Sequence, residues 1–214
     1  MTKSTPLFRK PLPRVYFYAT MAVIALNLLV YLLNQIFPLT FDLLAMTPAA
    51  VVREGAWWQL VTYMYVHSPV EISHILFNMI GLFFFGTAVE EEIGSWEFLA
   101  FYHVTGALAG LASLGVFLLT GQDYVQLLGA SGGVFAVTLA FAAYRPHARV
   151  LVLFIIPLRA RSMVIVFVSI EIFSQFLDPY GGVAHLTHLA GFLFAFLYLL
   201  LRLRVNAWKE FWAS

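Results

Sequence analysis

The chain has 214 residues, 62% of them hydrophobic and 11% charged, with a formal net charge of +1 and no cysteine. A soluble domain carries about a quarter charged residues, so this composition excludes one and points to a polytopic membrane protein built as one domain. A net charge so near zero gives no reason to expect a nucleic-acid partner, and without cysteine there are no disulfides, thiolate metal sites or cysteine nucleophiles.

Lys3, Arg9, Lys10 and Arg14 precede an apolar run from Tyr16 to Phe37. The run exceeds the roughly 7–15 residues of a secretory leader's apolar core, so it reads as an uncleaved first span. At roughly 20 apolar residues per helical crossing, spans fall near 16–37, 73–89, 97–120, 128–144, 162–178 and 183–203. The expectation is an all-α membrane protein: a tail over 1–14, a six-helix transmembrane domain over 15–204 and a second tail over 205–214.

Lysine and arginine mark cytoplasmic segments. Six spans put Lys3, Arg9, Lys10, Arg14, Arg145, Arg149, Arg159, Arg161, Arg202, Arg204 and Lys209 on one face and leave Arg53 on the other. Both termini are therefore expected in the cytoplasm. The small size and lack of a targeting presequence favour a prokaryotic inner membrane.

The outer connection from Pro38 to Ile72 carries Trp57, Trp58, Tyr63 and Tyr65, amphipathic aromatics suited to the headgroup level. Glu90, Glu91 and Glu92 close the second span and read as a solvated cap. Gly106 and Gly110 form a small-xxx-small pair, the mark of close helix approach. Val150 to Pro157 is too short to cross and is expected against the inner face. Glu171 lies inside the fifth span, where a carboxylate is a functional suspect by default. Near a helix end beside Ser169, Ser174 and Gln175, it reads instead as reaching water.

The second, fourth and sixth spans all start on the outer side. That brings His74, Asn78, Ser131 and His188 to similar depth, Ser131 about a turn into its span. Buried polar groups need partners, and Ser131 can find one in His188; the same bond activates a serine, because an adjacent base removes its proton. Gly129 and Gly132 permit close approach around Ser131, and Gly191 and Ala195 continue the face of His188. His74 and Asn78, four residues apart on one face, with the Ser131 backbone N–H, can stabilise an oxyanion. No aspartate is placed to complete a triad, Asp178 lying in the loop before the sixth span, so a Ser131–His188 dyad is expected. Packing alone is the rival explanation for each residue taken singly. His185 and His188 with His74 or His67 can also be read as metal ligands, but no carboxylate lies close in sequence, and no metal or cofactor is expected.

Gly-Ala-Ser-Gly at 129–132, His-x-x-Gly-x-x-x-small at 188–195 and His-x-x-x-Asn at 74–78 together resemble the rhomboid intramembrane serine proteases, over about Trp57 to Ala195. The resemblance implies a six-helix rhomboid-like bundle with a water-filled cavity opening outward, and the fifth helix with a neighbouring loop as substrate gate. It implies Ser131 as nucleophile, His188 as base, His74, Asn78 and the Ser131 N–H at the oxyanion, and Phe135 stacked on the histidine. Partners would be the lipid bilayer and single-span substrate proteins cut near the outer face. A non-proteolytic rhomboid-like protein that binds membrane proteins, or serves their quality control, is the alternative. Trp58-Gln59 replaces the Trp-Arg frequent in such proteins, which puts that arginine's role in loop stability in question, and the link from His67 to His74 is slightly long.

Overall fold

The computed structural model describes residues 12–153, 155–177 and 183–213. Lys3, Arg9, Lys10, most of the tail over 1–14, Asp178 and Ser214 lie outside the described residues.

Among the described residues the bundle is built from α1 (Ala19–Ile36), α2 (Ile72–Ile93), α3 (Ser95–Leu119), α4 (Ser131–Tyr144), α5 (Ala160–Leu177) and α6 (Val183–Tyr198, continued by a π-helical turn, Leu199–Leu203). Among the described residues, α1, α2, α3, α5 and α6 are long and apolar enough to cross a membrane. The fourth expected span shortens to the 14 residues of α4, about 21 Å at 1.5 Å per residue against about 30 Å of hydrocarbon. Eleven of those 14 residues are buried. A helix apolar all round belongs in an interior, and α4 packs against α2, α3, α5 and α6 at the centre of the bundle.

The connection from Pro38 to Ile72 is partly helical, and its aromatics divide between surface and core. Trp57 and Trp58 are exposed, but Tyr63, Met64, Val66 and His67 are fully buried. A 3-10 turn, Tyr63–Tyr65, is pressed into α3. A Cβ at Gly106 would stand 2.1 Å from Met64 Cε, and one at Gly110 2.6 Å from Tyr63 Cε1. The small-xxx-small pair therefore receives a loop rather than another membrane helix. Tyr63 Oη donates to Gly106 O at 2.8 Å, which gives this buried hydroxyl its partner. Gln59 is buried too: its amide donates to Asp42 O at 3.1 Å and accepts from Thr47 N at 3.1 Å, tying the loop's two halves together. A neutral amide thus fastens the loop through backbone groups where an arginine is frequent.

At the opposite end one member of the acidic triplet leaves the solvated cap. Glu90 is fully buried; it accepts from Ala19 N at 2.7 Å and Thr20 N at 2.8 Å, and Ser95 Oγ donates to the same carboxylate. The free N–H groups and positive dipole end that open α1 are what a carboxylate satisfies there. Glu91 and Glu92 stay near the surface and pair with Arg145 at 3.4 and 3.0 Å. Glu97 of α3 is held by Tyr198 at 2.6 Å and by two nitrogens of Arg202, one at 2.7 Å. The stretch after α4 folds into an antiparallel hairpin, β1 (Arg149–Val152) and β2 (Ile156–Arg159), with Arg149 opposite Arg159.

Candidate active site

The entry to α4 is set by Gly129. Its φ of +115° is a conformation side chains rarely adopt, and a Cβ there would stand 2.6 Å from His74 Nε2. Its N–H donates to Tyr63 O at 3.0 Å, and just before it Leu127 exchanges both backbone bonds with Met46, at 2.8 and 3.0 Å. The chain therefore runs into the bundle extended and turns helical only at Ser131. Ser131 is the first residue of α4, not one turn inside it. It sits among the free N–H groups and positive dipole end of a helix, a setting that favours negative charge.

On α6, close packing brings His188 to it. A Cβ at Gly191 would lie 2.3 Å from Gly132 O, and one at Gly132 3.2 Å from Thr187 Cγ2, so the two helices touch backbone to backbone. Ala195 is fully buried one turn on, and Thr187 shares a 2.7 Å hydroxyl–hydroxyl bond with Ser113 of α3. His188 Nε2 lies 2.7 Å from Ser131 Oγ. The Phe135 ring stacks on the imidazole with centroids 4.2 Å apart and planes 8° from parallel.

His74 and Asn78 line the same cavity as Ser131 and His188, a space of about 1050 Å³. It is also walled by Phe77, Phe84, Met163 and Phe167, from α2 on one side and α5 on the other. Asn78 Nδ2 donates to His74 O at 2.8 Å, so one of its two amide hydrogens is spent on its own helix. His67, fully buried, accepts from Ala130 N at 3.4 Å and meets the His74 ring edge to face at 5.0 Å. Burial, and then the neighbouring His74, lower the His67 pKa to about 3, so it stays neutral beside the serine loop.

Glu171 overturns three expectations. It does not reach water: it is buried, and its carboxylate faces α6. Oε2 makes a very short contact with His185 Nδ1, and Oε1 lies 3.0 Å from His188 Nδ1, set off the N–H direction. A carboxylate therefore does stand behind the Ser131–His188 pair, as a glutamate from α5. Glu171, His185 and His188 also place three ligand atoms within 4.8 Å of one another, the group among the described residues able to hold a metal ion. His74 and His67 are not part of it.

The sequence does not place His67 and Tyr63 beside the serine, since their spacing carries no motif, and it marks Glu171 as a suspect without showing that it faces the histidines. The one signal for Glu171 was an acid in a membrane span.

A rhomboid domain profile matches residues 54–205. The chain is 31% identical over 151 residues to a putative rhomboid protease, YdcA, of Bacillus subtilis, an alignment spanning 68% of this chain and 69% of that protein. It is 32% identical over 122 residues to rhomboid protease GlpG of Haemophilus influenzae, covering 55% of this chain and 58% of the relative. With the mitochondrial RHOMBOID-like protein 12 of Arabidopsis thaliana it shares 29% identity over 157 residues, covering 65% of this chain and 44% of that one. The profile match, together with these relatives, means that the chain belongs to the rhomboid family of intramembrane serine proteases.

Proposed function

We propose that the protein is an endopeptidase that hydrolyses a peptide bond in, or just outside, the membrane segment of another protein, with Ser131 as nucleophile and His188 as general base. The observation that carries the reading is the 2.7 Å contact between His188 Nε2 and Ser131 Oγ on the wall of a cavity inside a membrane bundle. Ser131 Oγ attacks the scissile carbonyl carbon while its proton passes to His188 Nε2. The same proton then goes to the leaving amine, and water, deprotonated by His188, resolves the acyl-enzyme. The oxyanion forms against the N-terminal N–H groups of α4, with His74 and the remaining amide hydrogen of Asn78 as side-chain donors.

The substrate is a single-span protein whose helix unwinds near the outer face, since a helical backbone keeps its carbonyls bonded. The cleft between α2 and α5 has the aromatic walls to receive it, which agrees with α5 as the gate. Both termini lie in the cytoplasm of a prokaryotic cell, on the strength of the lysine and arginine bias and the bacterial relatives.

Purified protein in detergent or liposomes is expected to cleave a model transmembrane substrate and to label at Ser131 with a fluorophosphonate. Ser131→Ala and His188→Ala, still folded, are expected to do neither. Cleavage by Ser131→Ala at the wild-type rate sinks the mechanism.

A further inference from the structure

His188 is held on three sides. Ser131 Oγ meets Nε2 at 2.7 Å, Phe135 covers one ring face at 4.2 Å, and Glu171 Oε1 stands 3.0 Å from Nδ1. Phe135 fixes the plane of the ring but says nothing about which nitrogen carries the proton. That choice decides function, because only the tautomer with Nδ1–H leaves the Nε2 lone pair free to take the serine proton. In a bilayer, the group best able to impose it is a buried acceptor beside Nδ1, and a carboxylate is the strongest available.

Glu171 is buried and itself clamped. Its second oxygen is engaged by His185 Nδ1, so the carboxylate cannot turn away without giving up that partner. It is also carried by a different helix from His188: Glu171 is on α5, whereas His185 and His188 are on α6, one turn apart. The Oε1–Nδ1 contact is at bonding distance but off the N–H axis. Catalytic hydrogen bonds are often misaligned in a resting site and straighten when substrate is bound.

We propose that Glu171, clamped by His185, is the positioning residue for His188, and that docking of α5 against α6 therefore sets whether the Ser131–His188 pair is aligned for proton transfer. This rests on the reading of Ser131 and His188 as the reacting pair. In the acylation step the Ser131 O–H bond breaks and an Oγ–carbon bond forms. The proton goes to Nε2, Nδ1 keeps its own, and Glu171 stays ionised beside the imidazolium. The helix that borders the substrate cleft thus carries part of the apparatus that makes the serine reactive.

The test uses the full chain in detergent or liposomes and reads two quantities: the rate at which a fluorophosphonate labels Ser131, and kcat and KM for a transmembrane substrate. A small probe reaches the serine without docking a substrate helix, so its rate separates alignment from gating. Glu171→Gln keeps the shape and loses the charge; labelling and kcat are expected to fall together by on the order of 10²-fold, with KM within about twofold. Glu171→Asp is expected to recover part of that loss, and His185→Ala, which keeps the charge but frees the carboxylate to turn, to lower labelling and kcat by about tenfold. A Nδ1 proton resonance of His188 shifted far downfield is expected in the wild type and absent in Glu171→Gln. Labelling of Glu171→Gln at the wild-type rate overturns the proposal. So does a loss confined to KM or to thermal stability, which marks a packing role. A wild type that neither labels nor cleaves instead refutes the reading of Ser131 and His188.

Discussion

Two ends of this bundle bury carboxylates, and they do so differently. At the end opposite the cavity, Glu90 receives two backbone N–H groups and a serine hydroxyl, and Glu97 receives a guanidinium and a phenol. Those donors are fixed and do not change protonation under ordinary conditions. At the cavity end, Glu171 is met by two imidazoles, one of them bonded to a serine. A buried carboxylate saturated by permanent donors acts as a staple. One facing groups that exchange protons, beside a space large enough for a peptide, is placed for chemistry.

The comparison can be broken most directly at Ser131. Ser131→Ala is expected to lower cleavage by at least about 10³-fold while unfolding free energy stays within about 0.5 kcal/mol; parallel activity and denaturation measurements check it. The converse comes from Glu97→Ala, which removes the carboxylate that Tyr198 and Arg202 share and is expected to cost up to about 3 kcal/mol. Molecules that remain folded should still label at the serine, and loss of labelling in that folded fraction would collapse the distinction between the two ends.

Gly191→Ala lies between these extremes. The added methyl meets Gly132 O at 2.3 Å, and overpacking of this kind costs about 1–3 kcal/mol. Because it pushes α6 from α4, cleavage is expected to fall about 10²-fold as well. A variant that loses stability but keeps the rate would show that the Ser131–His188 distance tolerates helix displacement.

The most gradual effect concerns pH. His67 titrates near 6.5 when unfolded and near 3 in the fold. Between those values the unfolded chain binds the extra proton, so the stability it contributes is complete above about pH 6.5 and drains away as pH falls. The slope is at most about 1.4 kcal/mol per pH unit. Denaturation midpoints from pH 7 to 4 should show it, and His67→Gln should flatten the curve.

How much of this the sequence discloses depends on which side of a contact is local. That Ser131, His188, His74 and Asn78 come to one cavity is legible, because the apolar runs and the charge bias run the three spans that carry them in the same direction. Even the glycines beside the serine and the histidine can be read as close-approach positions. What they approach cannot always be read: Gly106 and Gly110 announce a tight neighbour, and the neighbour is Met64 and Tyr63 of a loop. The start of α4 is misjudged by a turn because apolarity continues through Leu127 and Leu128 while the backbone at Gly129 does not. Glu171 and Glu90 are the larger losses. Each finds its partners on another helix, and crossing geometry leaves no periodic trace in the chain.

The Glu90 cap has a consequence for how the protein is made. The N–H groups that open α1 wait for a residue 71 positions downstream of Ala19. At about 5–20 residues per second of synthesis, the first span exists for several seconds before its cap has been translated. During that interval water, lipid headgroups or the insertion machinery must serve those N–H groups. The contact that closes the start of α1 can therefore form only once the end of α2 has been made, which ties the two helices together as a pair.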